Sequence, residues 1–237
     1  MTTIRNWFPI LSSVITLIFA ATVLQRYVRR RHLYLAFWGV GLTMYGIGVL
    51  CEALHTAVGW NPLLFRLWYL FGAILVAAWL GQGTVYLLVR KRVAHVLTLF
   101  LVIGSLYGAM RVFSATLDPS LLPQGELSGK AIITPGVRLL TPFFNVYGLV
   151  ALAGGAVYSA WGFWRKRVMP NRVVGNILIA VGALAPSLAG LFSRLGVAGY
   201  LYLGELLGAV LMYAGFLLST ARAPAQALSD NPEMAKT

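Results

Sequence analysis

Seven long apolar runs, each set off by arginines, prolines or glycines, constrain this chain more than any other feature. A helix needs about 20 mostly apolar residues to cross the hydrocarbon of a bilayer. Segments of that kind recur near residues 7–26, 33–56, 63–89, 93–114, 136–163, 173–193 and 197–220. Composition excludes a soluble domain: 59% of the residues are hydrophobic and 11% charged, against roughly 45–50% and about 25% in soluble proteins. The expected fold is therefore an all-α integral membrane protein, a seven-transmembrane-helix bundle over residues 1–221, followed by a short polar, disordered tail over 222–237. The one long connection, Ser114 to Pro135, carries Pro119, Pro123, Gly125, Gly129 and Pro135, which argue against a continued helix.

The net charge of +13 would suggest nucleic acid in a soluble protein, but here the basic residues fall in short clusters between apolar runs. Cytoplasmic connections keep Lys and Arg during insertion, so counting them on alternate sides orients the bundle. Arg26, Arg29, Arg30, Arg31, then Arg90, Lys91, Arg92, then Arg165, Lys166, Arg167, Arg172, with Arg222 and Lys236 in the tail, make thirteen on one side. Arg5, Arg66, Arg111, Lys130, Arg138 and Arg194 make six on the other. The N-terminus is expected outside and the C-terminus in the cytoplasm. The charges of the first run follow it instead of preceding it, which reads as a first helix and not a secretion signal. The first three and last three helices share an orientation, and each triplet has a basic connection after its first helix. That pattern suggests a 3+1+3 arrangement of two parallel repeats joined by the fourth helix.

The stretches RLWYLFGAILVAAWLGQGTVYLLVRKR, from Arg66 to Arg92, and GNILIAVGALAPSLAGLFSRLG, from Gly175 to Gly196, resemble bacterial seven-helix membrane proteins with no assigned chemistry. The resemblance would cover nearly the whole chain and implies a bacterial plasma membrane. More loosely, the layout is similar to the seven-helix sensor modules that precede histidine kinases, although no kinase or cyclase sequence follows Thr220. Seven helices also invite comparison with retinal proteins. Retinal attachment needs a lysine in the seventh helix, and Val197 to Thr220 has none, so a retinal Schiff base is not expected.

Ionisable groups within a bilayer cost at least a few kcal/mol each, so the few present are the candidates for function. Glu52 and His55, three apart near the outer end of helix two, share a face with Tyr45 and Gly48. Glu205 lies at a comparable depth in helix seven, and Arg66, Arg111, Arg138 and Arg194 fall around the same level. One reading is an outward-opening polar pocket in which Glu52, His55, Glu205, Arg66 and Arg138 bind a small polar or anionic ligand. The other is that the glutamates form structural ion pairs with arginines while the remaining arginines snorkel to headgroups.

Glu-x-x-His is also the spacing of helical metal sites, but no second copy exists, and His32 and His95 fall at the opposite ends of their helices. The single cysteine, Cys51, allows neither an internal disulfide nor a cysteine ligand set. No metal is expected, and no cofactor is named by the sequence. Gln82, Thr84, Asn145, Asn176 and Ser187 read as interhelical glue, Pro142 and Pro186 as kinks, and the glycines as sites of close helix approach. Trp7, Trp60, Trp68, Trp161 and Trp164 read as an interfacial belt.

No Gly-rich phosphate loop, paired catalytic histidines or nucleophile elbow is present, so no catalytic residue is assigned. Three functions remain: a receptor-like or ligand-binding protein, a small-solute transporter, and an accessory subunit of a larger respiratory or photosynthetic membrane complex. The partners expected are the lipid bilayer, a small ligand, and partner subunits in the third case, with no nucleic acid. The gathering of acidic groups in the outer third, away from the midplane sites of alternating access, favours ligand binding.

Overall fold

The computed structural model describes residues 2–122, 127–167, 169–194 and 200–221, with the backbone alone for residues 2–6, 191–194 and 200. Seven helices in it are long and apolar enough to cross a membrane. They are α1 (Thr2–Arg30), α2 (Leu33–Val58), α3 (Pro62–Leu88), α4 (Lys91–Phe113), α5 (Val137–Arg165), α6 (Pro170–Arg194) and α7 (Tyr200–Thr220). The tail over 222–237, with Arg222 and Lys236, lies outside the described residues, as do Pro123 and Gly125 of the long connection.

Local signals set several boundaries. Pro62 stands at the first helical position of α3, where its missing N–H is no loss, and the Asn61 carboxamide oxygen accepts from the N–H groups of Leu63 at 2.8 Å and Leu64 at 3.2 Å. Helix α2 stops at Gly59, whose φ of +81° disfavours any residue with a side chain. Arg29 and Arg30 end α1, where cations suit the negative end of the helix dipole.

Six helices close a ring: α1 packs on α2 and α7, α2 on α3, α3 on α5, α5 on α6, and α6 on α7. Helix α4 sits outside it, against α3 and α5, and most of its apolar surface faces outward. Lipid tails are as apolar as leucine, so the ring is held by close packing and interhelical hydrogen bonds more than by exclusion of water. Small residues permit the approach. A Cβ placed on Gly48 would lie 2.7 Å from the Gly72 Cα, so α2 and α3 cross backbone to backbone.

Helix α3 is not uniform. Residues Trp68–Leu75 form a π-helical stretch between α-helical flanks, and α5 has a second at Val150–Gly154. Such widened turns shift the register of the side chains that follow. At the start of the stretch in α3, Trp68, Tyr69 and Leu70 are all buried. The backbone is stitched across helices here, with the Asn145 amide of α5 donating to the Ala73 carbonyl at 2.9 Å.

The long connection between α4 and α5 is ordered where described. Leu117 and Ile132 pair as an antiparallel bridge, flanked by short turns at Pro119–Leu121 and Gly129–Ala131. Leu127, Ala131 and Ile132 are buried against Phe65, Trp68 and Tyr69, so this segment caps the end of the bundle where α2 meets α3. In its first turn the Ser120 hydroxyl and the Ser120 N–H donate to Asp118 Oδ1 at 2.6 and 2.9 Å. These bonds favour the ionised carboxyl and hold it below the usual aspartate range. Because the folded value is depressed, the contribution is complete above the ordinary aspartate pKa of about 3.9 and is lost as pH falls through the lowered value. A carbon-detected NMR titration should place Asp118 below that figure, and Ser120→Ala should move it back up; an unchanged titration in the variant would remove the hydroxyl as the cause.

Candidate functional site

Helix α2 carries Glu52 inward, two turns beyond Tyr45, and only 2% of Glu52 is exposed. The Trp68 indole N–H of α3 donates to Glu52 Oε1 at 2.5 Å. From α7, the Glu205 side chain is the hydrogen-bond partner of the Glu52 carboxyl. The Tyr45 hydroxyl donates to the Glu205 backbone carbonyl at 2.8 Å, which fixes α7 against α2 at the same level. Two carboxylate oxygens are both acceptors, so such a contact is a hydrogen bond only with a proton between them.

Glu205 also looks the other way, into a cavity of about 450 Å³ enclosed by α2, α3, α5, α6 and α7. Most of its wall is apolar, from residues such as Val76, Leu80, Leu152 and Met212. The polar groups on it are Tyr45, Trp68, Thr141, Asn145, Ser187 and Glu205. Helices α5 and α6 pack together along residues 150–165 of α5 but part over Val137–Leu149. Pro142, Val146 and Ser187, exposed on the flank of the bundle, line the cavity at that parting, so it opens sideways between the two helices. Pro142 and Pro186, one on each side of the parting, interrupt the helical hydrogen bonding there.

The expected site residues separate into those the fold brings together and those it does not. Glu52 and Glu205 meet. His55, buried one turn beyond Glu52, has Nδ1 at 3.0 Å from the Gly59 carbonyl oxygen and does not line the cavity. Arg66 donates to the Ala115 carbonyl at 3.1 Å, and Arg111 to the Pro135 carbonyl at 2.7 Å, so these two arginines fasten the ends of the capping connection. Arg138 is exposed at the first turn of α5. Neither Arg66 nor Arg138 lines the cavity, and among the described residues its wall carries no cationic group. The side chain of Arg194 lies outside the described residues. Among the described residues no three His, Cys, Asp or Glu side chains are grouped as a metal site.

Tyr45 was visible in the sequence as a face-mate of Glu52, but Trp68 was assigned to the interfacial belt because it falls near a helix start. In the fold it is buried beside Glu52, unlike the exposed Trp7, Trp161 and Trp164. Of the polar residues read as glue, Asn145 ties α5 to α3. Thr84 accepts from the Trp38 indole at 3.3 Å, whereas Asn176 donates within its own helix, to Arg172, at 2.7 Å. Ser187 belongs to the cavity.

A second buried cluster stands near the α3–α4 connection. Gln82 is fully buried and donates to the Ala94 carbonyl at 2.9 Å and to Thr98 Oγ1 at 2.8 Å, while accepting from the Tyr147 hydroxyl. Thr98 and His95 both contact the Tyr86 hydroxyl, at 3.0 and 2.8 Å. Every polar atom of the Gln82 amide is engaged by protein, and the cluster joins α3, α4 and α5.

Comparison with protein families, with curated proteins and with solved structures gives no match for this chain.

Proposed function

We propose that this is a non-enzymatic, receptor-like membrane protein that binds a small ligand in the cavity between α2, α3, α5, α6 and α7. It sits in a bacterial plasma membrane with its N-terminus outside and its C-terminus in the cytoplasm, as the thirteen-to-six asymmetry of basic residues argues. In that orientation the carboxyl pair belongs to the outer half of the bundle. The observation that carries the reading is the placement of Glu205, Tyr45 and Trp68 on one wall of a largely apolar cavity of about 450 Å³. Ligand sites are typically apolar clefts of roughly 300–1,000 Å³ with a few convergent polar groups. A glutamate at this depth costs several kcal/mol to bury and is usually kept for a function.

The test is thermal unfolding of the protein in lipid nanodiscs against a panel of small molecules, with Glu205→Gln and the cavity-filling Ala183→Trp beside the wild type. A ligand at 100 times its Kd should stabilise the wild type by about 2.7 kcal/mol, and both variants should lose most of that shift. A shift of equal size in all three proteins would sink the reading. Stoichiometric subunits co-purified from native membranes would favour the accessory-subunit alternative, and solute uptake into proteoliposomes the transporter.

A further inference from the structure

We infer that the ligand of this cavity is a lipophilic amine, an apolar body with one protonated nitrogen, whose ammonium group is received by Glu205. The inference rests on the ligand-binding reading above and adds the chemical class. Three observations carry it. Among the described residues the cavity wall holds one carboxyl group, that of Glu205, and no lysine, arginine or histidine, so the full charge these residues offer a ligand is negative. The other polar groups are sparse and neutral, and the rest of the wall is aliphatic or aromatic, which suits an apolar body with a single charged end. The opening lies between α5 and α6 on the flank of the bundle, at Pro142, Val146 and Ser187, so the route in passes through the hydrocarbon and selects molecules that partition there.

Glu205 Oε2 is buried and meets no N–H donor among the described residues, and the Glu52 carboxyl stands beside the Glu205 side chain. An ammonium supplies up to three donors, which a carboxylate accepts in charge-assisted bonds, stronger than neutral ones and stronger still away from water. The Trp68 and Tyr45 rings stand on the same wall, and aromatic faces attract cations. Tyr45 and Trp68 also hold Glu205 and Glu52 in place through the bonds already described. An anionic ligand would face Glu205 with no compensating cation among the described residues of the wall.

The experiment compares three probes of matched shape, 4-phenylbutylamine, 4-phenylbutanol and 4-phenylbutanoate, binding at pH 7 to the full chain in nanodiscs, with empty nanodiscs subtracted. The amine should bind at least about tenfold tighter than the alcohol, the size of effect one charge-assisted bond supplies, and the carboxylate should bind weakest. Glu205→Gln should abolish the advantage of the amine over the alcohol. The amine-to-alcohol ratio in the wild-type protein needs no variant, so a poorly folding Glu205→Gln leaves the inference testable. Equal binding of amine and alcohol, or tightest binding of the carboxylate, would overturn the amine assignment. In that case Ala183→Trp still reports on the cavity: abolished binding of the preferred probe keeps the ligand-binding reading, and unaltered binding of every probe removes both.

Discussion

Replacing Gly148 by valine is expected to destabilise the bundle by about 3 kcal/mol or more, enough to lower the yield of monodisperse protein. Gly148 faces α3 where α5 crosses it, and a Cβ built there would overlap backbone atoms of Ala77 and Ala78. Backbone of a paired helix cannot rotate out of the way as a side chain can, so α3 and α5 would have to separate. Separation would also part the Asn145 amide from the Ala73 carbonyl and open the wall that the two helices give the cavity. The matched control is Gly108→Ala in α4, where an added methyl would meet nothing within 4 Å. That substitution should leave stability unchanged, or raise it slightly because alanine favours helix. Thermal unfolding in one detergent reads both. A stable, monodisperse Gly148→Val protein would refute the backbone-to-backbone crossing.

Gln82→Leu should cost about 2 kcal/mol. The amide of Gln82 connects three helices through the Ala94 carbonyl, the Thr98 hydroxyl and the Tyr147 hydroxyl. Interhelical hydrogen bonds in membrane proteins average about 0.6 kcal/mol and reach about 1.7. Losing three of them, with the Tyr147 hydroxyl left facing a leucine, brings the sum to that figure. Tyr147→Phe alone should cost less, because the Gln82 amide keeps its two donor bonds. The double variant should cost less than the two single changes added together, since they remove one shared bond. Chemical unfolding of the four proteins gives the cycle; strict additivity would show that Tyr147 and Gln82 do not interact. Neither change touches the Glu52 and Glu205 pair, so a ligand response lost in Gln82→Leu alone would mean that the cavity depends on the far end of α3.

The two polar centres differ in what the sequence could say of them. Gln82 was legible as glue, since a carboxamide at mid-helix in an apolar run has little alternative to an interhelical partner. Glu52 and Glu205 were legible as candidates on the same ground, a charge-bearing group at membrane depth. Their partners were not. Arg66 and Arg138 lie close to the glutamates in depth, but depth along the axis says nothing of the angle around it. The structure uses Arg66 to hold the Ala115 carbonyl and leaves Arg138 on the surface. Trp68 was lost for a different reason. A tryptophan near a helix start fits the interfacial belt by its position along the chain, and that position does not show that its ring is buried in the bundle.

Sequence alone thus determined seven helices long enough to span, because length and hydropathy are one-dimensional quantities written directly along the chain. It also singled out Glu52 and Glu205. Tertiary structure alone decided that those two carboxyls meet, that Trp68 joins them and His55 does not line the cavity, and that Arg66 and Arg111 hold the capping connection. It also decided that α5 and α6 part around an apolar cavity. The physical reason is rotational: helices packed through small residues can turn about their axes at little cost in an apolar solvent. Which side chains face one another is then set by the summed fit of every crossing, and no single segment carries that information.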